Sequence, residues 1–579
     1  MKNLCCLYIL AATVTLSFLT SCRKAYEEVP LGQQIPLEIA FDDNDSAGIY
    51  ALRFLLTTYE QALQNNHNRV SGNYLDAASD DALSSQQSIS AVENIARGAF
   101  TATNTNGDNV WARHWTSIRN CSIFSVMINR VPLAEKLPDG RPARPAYRSE
   151  ARFIRAYLYF ELLKRYGGIP LLGDNIYQLN DDIQLPRKSF AECVDYIVSE
   201  CDDIKDSLRT RANINGTSYG RITQGAAMAL KARVLLYAAS PLFNGGNIES
   251  GNPLTGYTNY DPNRWKLAAD AAKAVMDLND YSLMPDLADV FITQSAPVAS
   301  NTETIFWRQN GNNISVETAN GPVGYRSAGG NGITSPTQNL VDAFPMINGL
   351  PITDPASGYD PNNPYANRDP RLSKTVFHNG MLWLNRNVET YTGGADRPGG
   401  TGQQTKTGYY MRKFMGKFES ASGGTYSNTN HDFHYMRYTE VLLNYAEAMN
   451  EFSGPTSEVY KVLHDLRQRA GIDPGPDNNY GIDPNLTKEE MRELIHNERR
   501  IELAFEEHRF FDIRRWKIAE TVMNQPLRGV NIQRTSSGVE SFDYVNVFTP
   551  SFRAPAMYLY PIPYDEVIKN AQMKQNPGW

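Results

Sequence analysis

The chain has 579 residues, of which 41% are hydrophobic and 21% are charged, and its 56 Lys and Arg against 63 Asp and Glu give a formal net charge of −7. This composition is typical of a folded globular protein and argues against disorder and against a multi-span membrane protein. The acidic balance also argues against a nucleic-acid partner, because phosphate contacts need clustered Lys and Arg.

The first 21 residues predict an export signal. Lys2 precedes an almost wholly apolar run, Leu4–Leu19, and small residues then precede Cys22. This order resembles the bacterial lipobox, in which cleavage leaves the cysteine as a lipidated N-terminus. The run is short for the alternative, an uncleaved transmembrane helix. We therefore predict a signal peptide over residues 1–21, lipidation of Cys22, and attachment to the membrane through that lipid alone.

The other cysteines of the exported chain predict buried thiols. Cys193 and Cys201 are eight residues apart in one helical pattern, which places them about 12 Å apart along a helix, too far for a disulfide. Neither they nor Cys121 belong to a CxxC pair or a Cys/His metal spacing. Zinc binding and redox chemistry are therefore not expected.

Amphipathic helical patterns dominate both ends of the mature chain. In the first strong pattern, apolar residues over Phe153–Leu163 recur at helical spacing, and Gly167-Gly168 ends it. Further helices are predicted over Ala226–Ala239, Trp265–Leu278, Tyr438–Met449, Val459–Ala470 and Glu489–Trp516. Helices of this length with short breaks are typical of tetratricopeptide-like helix pairs.

Residues 296–430 have a different composition, dense in Gly, Asn, Thr, Ser and Pro with scattered aromatics. A structureless loop of this length is rare in a compact domain, so short strands, turns and functional loops are expected. The predicted fold is mainly α. A helical scaffold, roughly 40–295 and 431–579, carries a loop-rich irregular insert, roughly 296–430, in a single domain over 22–579.

Several patterns suggest catalysis or metal binding but are better explained structurally. Gly216–Gly220 matches G-x-S-x-G, yet the apolar strand that a nucleophile elbow needs before the serine is absent. His431 and His434 have a spacing that a metal could use, but no third ligand is apparent nearby. Asp42–Asp45 and Asp360–Asn363 are more often plain turns than calcium loops. No cofactor is predicted, with a structural calcium ion as the alternative.

The segment Glu498–Asp512 is the densest cluster of charged and aromatic residues. A glycosidase uses two carboxylates about 5–10 Å apart, so the cluster raises that hypothesis. Its acids and arginines nevertheless fall at helical spacings that suit internal ion pairs, and His508 lies on the apolar stripe. We therefore interpret the segment as structural, and no catalytic residue is predicted.

These segments together resemble the SusD/RagB family, the surface lipoproteins of Bacteroidetes nutrient-uptake systems. The matching segments run in the family's order over nearly the whole mature chain: Leu75–Leu83, Glu150–Leu172, Gly220–Asn244, Asn367–Leu372, Met436–Glu451, Leu466–Ile472, His496–Trp516 and Tyr558–Trp579. The resemblance implies a tetratricopeptide-like α-scaffold with an irregular ligand-binding face. It also implies an outer-membrane location at the cell surface and a SusC-like TonB-dependent barrel as the partner.

The family motifs do not locate the ligand, so candidates come from sugar chemistry. A sugar ring offers an apolar C–H face and a rim of hydroxyls, which exposed aromatic rings and planar polar side chains on loops would bind. The candidate ligand-binding residues are Trp307, Tyr325, Arg326 and Trp383 in or beside the insert, and Tyr74 and Trp111 around the early loop. Arg326 would donate hydrogen bonds from a fixed fork.

The leading hypothesis is a non-enzymatic surface lipoprotein that captures an oligosaccharide and delivers it to the barrel transporter. Capture of an oligopeptide, as the RagB branch of the family suggests, is the alternative within the binding class. A surface glycoside hydrolase is the alternative from another class. Facing carboxylates with raised pKa values in a groove would favour the hydrolase.

Overall fold

The computed structural model describes residues 35–178, 180–293, 300–400, 402–421 and 423–579. The signal peptide and Cys22 lie outside the described residues, so lipidation of Cys22 stays a prediction. In the described part, no helix combines the length and the hydrophobicity needed to cross a bilayer.

Helices predominate over strands, as the sequence predicts. The α-helices, α1 to α18 in chain order, are Leu37–Ala40, Ile49–Ala62, Ala91–Ala96, Trp111–Met127, Ala143–Tyr166, Phe190–Ile204, Gln224–Ala239, Asn263–Met276, Leu287–Ile292, Ser315–Asn320, Gln338–Ala343, Pro370–Thr375, Tyr438–Ser453, Ser457–Ala470, Lys488–Glu502, His508–Arg515, Ala519–Val522 and Tyr564–Lys569. Short 3₁₀ segments lie at Leu75–Ala78, Ile128–Arg130, Arg211–Asn213, Val323–Ala328 and Ala556–Tyr558.

Helix α5 ends where the glycine pair predicts. Gly167 caps the helix at a φ of 73°, and its N–H donates to the carbonyl of Leu163. A Cβ on Gly168 would lie 2.0 Å from the carbonyl oxygen of Lys188, so only glycine lets the chain pass this close. The pair therefore both stops the helix and allows the following segment to pack against the residues that precede α6.

The long helices pack largely in chain order. Helix α4 packs on α5, α5 on α6, α6 on α7 and α7 on α8, while α13 packs on both α14 and α15. Helix α13 also packs on α8, which joins the helices before the insert to those after it. This is the arrangement that a series of helix pairs produces; the tetratricopeptide-like class itself stays a prediction.

The strands are short and pair two by two, all antiparallel, in the described part of the chain. The pairs are β1 (Ala82–Ser84) with β4 (Thr334–Pro336), β2 (Thr304–Arg308) with β10 (Phe433–Arg437), β3 (Asn312–Asn313) with β9 (Thr429–Asn430), β5 (Val376–Phe377) with β8 (Tyr410–Met411), β6 (Leu382–Trp383) with β7 (Arg386–Asn387), and β11 (Leu527–Arg534) with β12 (Glu540–Phe548). Pairs β1–β4 and β2–β10 tie the insert to the scaffold.

The structure differs from the predicted elements in two places. The helix predicted over Glu489–Trp516 breaks between α15 and α16, where Phe505 and Glu507 have φ values of 63° and 64°, which no right-handed helix contains. The Phe505 N–H donates to a carboxylate oxygen of Asp76 (3.1 Å), which stabilises the break. The β11–β12 hairpin lies in the region predicted as helical scaffold, where the alternating burial of β11 belongs to a strand.

Buried ion pairs join the early and late segments of the chain. The Arg509 guanidinium donates to both carboxylate oxygens of Asp80 (2.8 Å each), and Arg500 donates to Asp81 (2.7 Å). These residues belong to the segments that resemble the SusD/RagB family. These ion pairs fasten the early segment to the late one.

Candidate functional site

The five predicted aromatic rings lie in the core. Their exposed fractions are 4% for Trp307, 6% for Tyr325, 0% for Trp383, 0% for Tyr74 and 4% for Trp111. The expectation that they are exposed is therefore wrong. As placed, none of them offers a ring face to a ligand on the loops, and their direct role in binding stays a prediction that would require the rings to move.

Each ring is buried because neighbouring elements supply it with partners. Trp307 lies on β2 opposite His434 of β10, and Tyr219 packs on its ring at 5.5 Å. Tyr74 stacks on Phe414 at 5.6 Å. Trp383 donates from Nε1 to the Tyr426 hydroxyl (3.2 Å). Large rings are the side chains that bury most apolar area, so packing outcompetes display wherever such neighbours exist.

Tyr325 and Arg326 are adjacent in sequence but differ in environment. The Tyr325 hydroxyl donates to the Arg386 carbonyl (2.8 Å), and the Arg386 guanidinium lies 4.0 Å from the Tyr325 ring centroid. Arg326 is exposed, and its Nη2 donates to the Gln403 carbonyl (3.0 Å). Of the six candidate ligand-binding residues, Arg326 is the one that is exposed, and Trp111, although buried, lines a cleft on the helical scaffold.

Hydrogen bonds join loops that are distant in sequence, one of which carries Arg326. The Ser85 N–H donates to the Ile333 carbonyl (2.8 Å), which joins the early loop to the insert. The Gln403 side chain donates to the Asn331 carbonyl (2.7 Å), which joins two loops of the insert. We call residues 84–90, 326–333 and 402–406 the loop-rich face. The sequence pointed to the early loop and to the insert separately, and the structure joins them.

The loop-rich face is rich in planar polar side chains. Gln87, Arg326 and Asn331 are exposed, and Gln86 and Gln403 are half-buried. Amide and guanidinium groups offer donors and acceptors in a plane, which is the geometry that reads sugar hydroxyls or peptide groups. The face therefore offers hydrogen-bonding groups where the sequence suggested exposed rings.

The carboxyl group of Asp396 is not available as a catalytic acid. Burial raises the pKa of Asp396, although Arg386 and backbone N–H groups act against this shift. The carboxylate accepts from the Gly324 N–H (2.7 Å), the Glu389 N–H (3.0 Å) and Arg386 Nη2 (3.0 Å). Its side chain is fully buried, so it holds the 324 turn in place and is not presented to a ligand.

The segment Glu498–Asp512 is structural, as its spacing indicates. Glu502 accepts from Arg437 (3.0 Å) and from Arg371 (3.0 Å), and all three side chains are at most 1% exposed. Burial alone would raise the pKa of Glu502, but Arg469, Arg437 and Arg371 outweigh it and hold that pKa well below its usual value. Permanently ionised, buried carboxylates of this kind are inaccessible to a substrate.

The other apparent motifs also have structural explanations. Ser218 lies in a turn, where its Oγ hydrogen bonds with Asn215 (3.0 Å), and no strand precedes it. His431 is buried and pairs through Nε2 with Glu317 (2.8 Å). Across the described ranges, no cluster of three or more His, Cys, Asp or Glu could hold a metal ion.

The candidate calcium loops are turns. Asp45 accepts from the N–H groups of Ala47, Gly48 and Ile49 at the start of α2, and Asp360 accepts from the Asn362 N–H (2.9 Å). Calcium binding there stays a prediction. The cysteines Cys121, Cys193 and Cys201 are free and buried, as predicted.

The sequence reasoning did not select the amides of the loop-rich face. Gln86, Gln87 and Gln403 are not among the residues that the sequence predicts, which are five aromatic residues and one arginine. The signal that could have found them is the polar run Ser84–Ser88, which follows directly after the Leu75–Leu83 segment.

Two family models match the chain. One, described as the SusD family, matches residues 294–579, and the other, described as "Starch-binding associating with outer membrane", matches residues 50–236. Among curated proteins, SusD-like protein P2 of Formosa agariphila is 26% identical over 453 residues, which covers 75% of this chain and 74% of that protein. SusD-like protein P38 of the same organism is 24% identical over 430 residues, covering 71% and 74%.

Solved structures share the fold. A SusD-like protein from Bacteroides fragilis superposes with a TM-score of 0.74 at 27% identity, covering 94% of this chain and all of that one. Another protein of B. fragilis, described as a SusD-like carbohydrate binding protein, superposes with a TM-score of 0.72 at 23% identity, covering 91% and 99%. The fold, the order of the shared segments and the two family models agree, and the chain therefore belongs to the SusD/RagB family.

Proposed function

We propose that this protein is a surface lipoprotein that captures an oligosaccharide on the loop-rich face and passes it to a SusC-like TonB-dependent transporter. The observation that carries the proposal is the convergence of the early loop with two loops of the insert, which brings planar polar side chains onto one exposed surface. The match to a starch-binding, outer-membrane family model supports a glycan ligand and a membrane-associated role.

The mechanism is binding without chemistry. Amide and guanidinium groups bond the hydroxyl rim of the sugar, while the buried ion pairs beneath the loops keep the scaffold rigid. The lipid on Cys22 keeps the protein at the membrane, and the transporter receives the ligand when the two proteins close over it. Closure selects the conformation in which the loops contact the ligand.

The test is a binding screen of the purified ectodomain against neutral oligosaccharides and, in parallel, oligopeptides. Each ligand is recovered afterwards and analysed by mass spectrometry. The proposal expects retention of at least one oligosaccharide, recovered intact. Retention of peptides alone would favour the RagB-type alternative, and recovery of shortened sugars would favour the hydrolase.

The transporter partnership has a separate test. Deletion of the gene for the proposed barrel partner is expected to abolish uptake of the retained oligosaccharide, while the ectodomain binds it as before. Uptake that continues without any such barrel would contradict delivery to a transporter, and would leave capture untouched.

A further inference from the structure

A cleft of about 550 Å³ lies on the helical scaffold, and none of its lining residues belongs to the loop-rich face. Its floor is one stripe of α4, in which Trp111, Trp115 and Arg119 follow one another at every fourth residue. Its walls come from the chain after α5 and from α18 with the residues that follow it, which we call the C-terminal tail (residues 564–579). Ligand pockets in proteins have volumes of about 300–1,000 Å³, so the cleft is large enough for a small molecule.

The cleft is preformed, because its walls are fastened to each other. The Gln184 side chain donates to the Lys569 carbonyl (2.8 Å) and accepts from the Ala571 N–H (3.1 Å). The Asn570 side chain donates to the Leu185 carbonyl (2.7 Å). A ligand that enters such a site does not have to order its walls, which lowers the free-energy cost of binding.

The floor presents an aromatic surface that is held in place. Trp111 is buried and packs edge-on against Trp115, with ring centroids 5.6 Å apart. Tyr159 also packs edge-on against Trp115, with ring centroids 6.1 Å apart. Trp115 itself is only half-buried and lines the cleft. An indole fixed in this way offers an apolar face to a ligand at low entropic cost.

The polar lining is nearly balanced in charge. Two basic residues, Arg119 and Lys569, and three acidic residues, Asp181, Asp182 and Glu566, line the cleft. A strongly charged ligand would meet repulsion from one of these sets, whereas a neutral ligand rich in hydroxyls finds both donors and acceptors.

An aromatic floor with a rim of mixed polar groups matches a sugar ring, which has an apolar C–H face and a ring of hydroxyls. We propose that this cleft is a second binding site for a neutral oligosaccharide, separate from the loop-rich face. The inference rests on the proposed function for the class of ligand, but it concerns a different site. A second site would let one molecule hold two points of a polymer and raise its retention at the surface.

The experiment is isothermal titration of the full ectodomain with maltohexaose, cellohexaose, xylohexaose and mannohexaose, followed by crystal soaking with the sugar that binds. The cleft variants are Trp115→Ala and Asn175→Ala; Asn175 is an exposed cleft residue whose truncation leaves the core intact. The control is Ile568→Ala, an apolar residue on the same tail that is 65% exposed and does not line the cleft. Arg326→Ala reports on the loop-rich face.

The proposal expects two sites in the wild type, and weakening of one of them by about tenfold or more in both cleft variants. It also expects no effect of Ile568→Ala, and sugar density over Trp115. A single site that Arg326→Ala removes, and that Asn175→Ala leaves unchanged, would overturn the second site and leave the proposed function intact. Binding lost only in the cleft variants would support the cleft and refute the loop-rich face. No binding of any sugar would overturn both.

Discussion

The buried cluster around Arg437 gives the sharpest stability prediction. Arg437 donates to Glu303 (2.5 Å), Glu502 (3.0 Å) and Glu506 (2.7 Å), and its side chain is 1% exposed. The ion pairs connected to Arg437 form one network in which cations and anions are equal in number. The cations are Arg371, Lys413, Arg437, Arg467 and Arg469, and the anions are Glu303, Asp369, Glu498, Glu502 and Glu506. Arg437→Met therefore leaves one negative charge uncompensated in the core.

Breaking a buried pair from one side costs about 3–5 kcal/mol. Because Lys413 still pairs with Glu506 (2.7 Å), we expect the lower end of this range, about 3 kcal/mol. Urea unfolding followed by circular dichroism measures the difference. The double variant Arg437→Met/Glu506→Gln restores the charge balance and is expected to recover part of the loss.

The matched control is Lys461→Met on α14. Lys461 pairs with Asp465 at 2.6 Å but is 72% exposed, so its removal is expected to change stability by less than about 1 kcal/mol. If Arg437→Met is as mild as this control, the cluster does not hold the scaffold together and the structural reading of Glu498–Asp512 fails.

Three further predictions concern the buried groups. Burial lowers the pKa of His434 to about 4, below the value of about 6.5 expected in the unfolded chain. Stability is therefore at its full value above about pH 6.5, and acidification to about pH 5 lowers the free energy of unfolding by about 2 kcal/mol, because the unfolded chain then binds a proton that the folded chain does not. Urea titrations at both pH values should show a smaller pH dependence for His434→Gln than for the wild type. Burial raises the pKa values of Cys121 and Cys193 to about 12. In the ectodomain without its signal peptide, we expect these two thiols and Cys201 to react with a thiol reagent only after denaturant is added. Rapid reaction of these thiols in the native protein would contradict their burial. Trp383→Ala is expected to lower the free energy of unfolding by about 3–5 kcal/mol because the ring is fully buried. The free energy of unfolding of the control, Arg326→Ala, should differ from that of the wild type by no more than about 0.5 kcal/mol. Equal stability of the two variants would show that the Trp383 ring does not support the core.

The scaffold could be predicted from the sequence because its signals are local. The helical stripe at Phe153–Leu163 and the glycine pair at Gly167-Gly168 specify α5 and its end without any distant partner. The break after α15 could not be predicted in this way. The break depends on Asp76, about 430 residues earlier, which accepts a hydrogen bond from the Phe505 N–H. The local sequence across the break, within Glu489–Trp516, keeps a helical pattern and does not reveal it.

The candidate site could be predicted only in part. Composition indicated the loops of the insert, and the Leu75–Leu83 segment indicated the early loop, but the hydrogen bonds that join these loops could not be predicted. Whether a given ring faces solvent depends on tertiary neighbours such as Phe414 for Tyr74 and Tyr426 for Trp383, and no spacing in the sequence reports them. Arg326 differs from the rings because its guanidinium stays exposed and donates to a backbone carbonyl of a neighbouring loop.

The most direct measurement is the dissociation constant of the retained oligosaccharide for Arg326→Ala beside that for Arg53→Ala, an exposed arginine on α2 far from the insert in sequence. Loss of a hydrogen bond from a charged group costs about 1.5–3 kcal/mol. Arg326→Ala should therefore bind roughly tenfold to hundredfold more weakly than wild type, with Arg53→Ala unchanged. Equal affinities of the two variants would mean that sugar is not held on the loop-rich face.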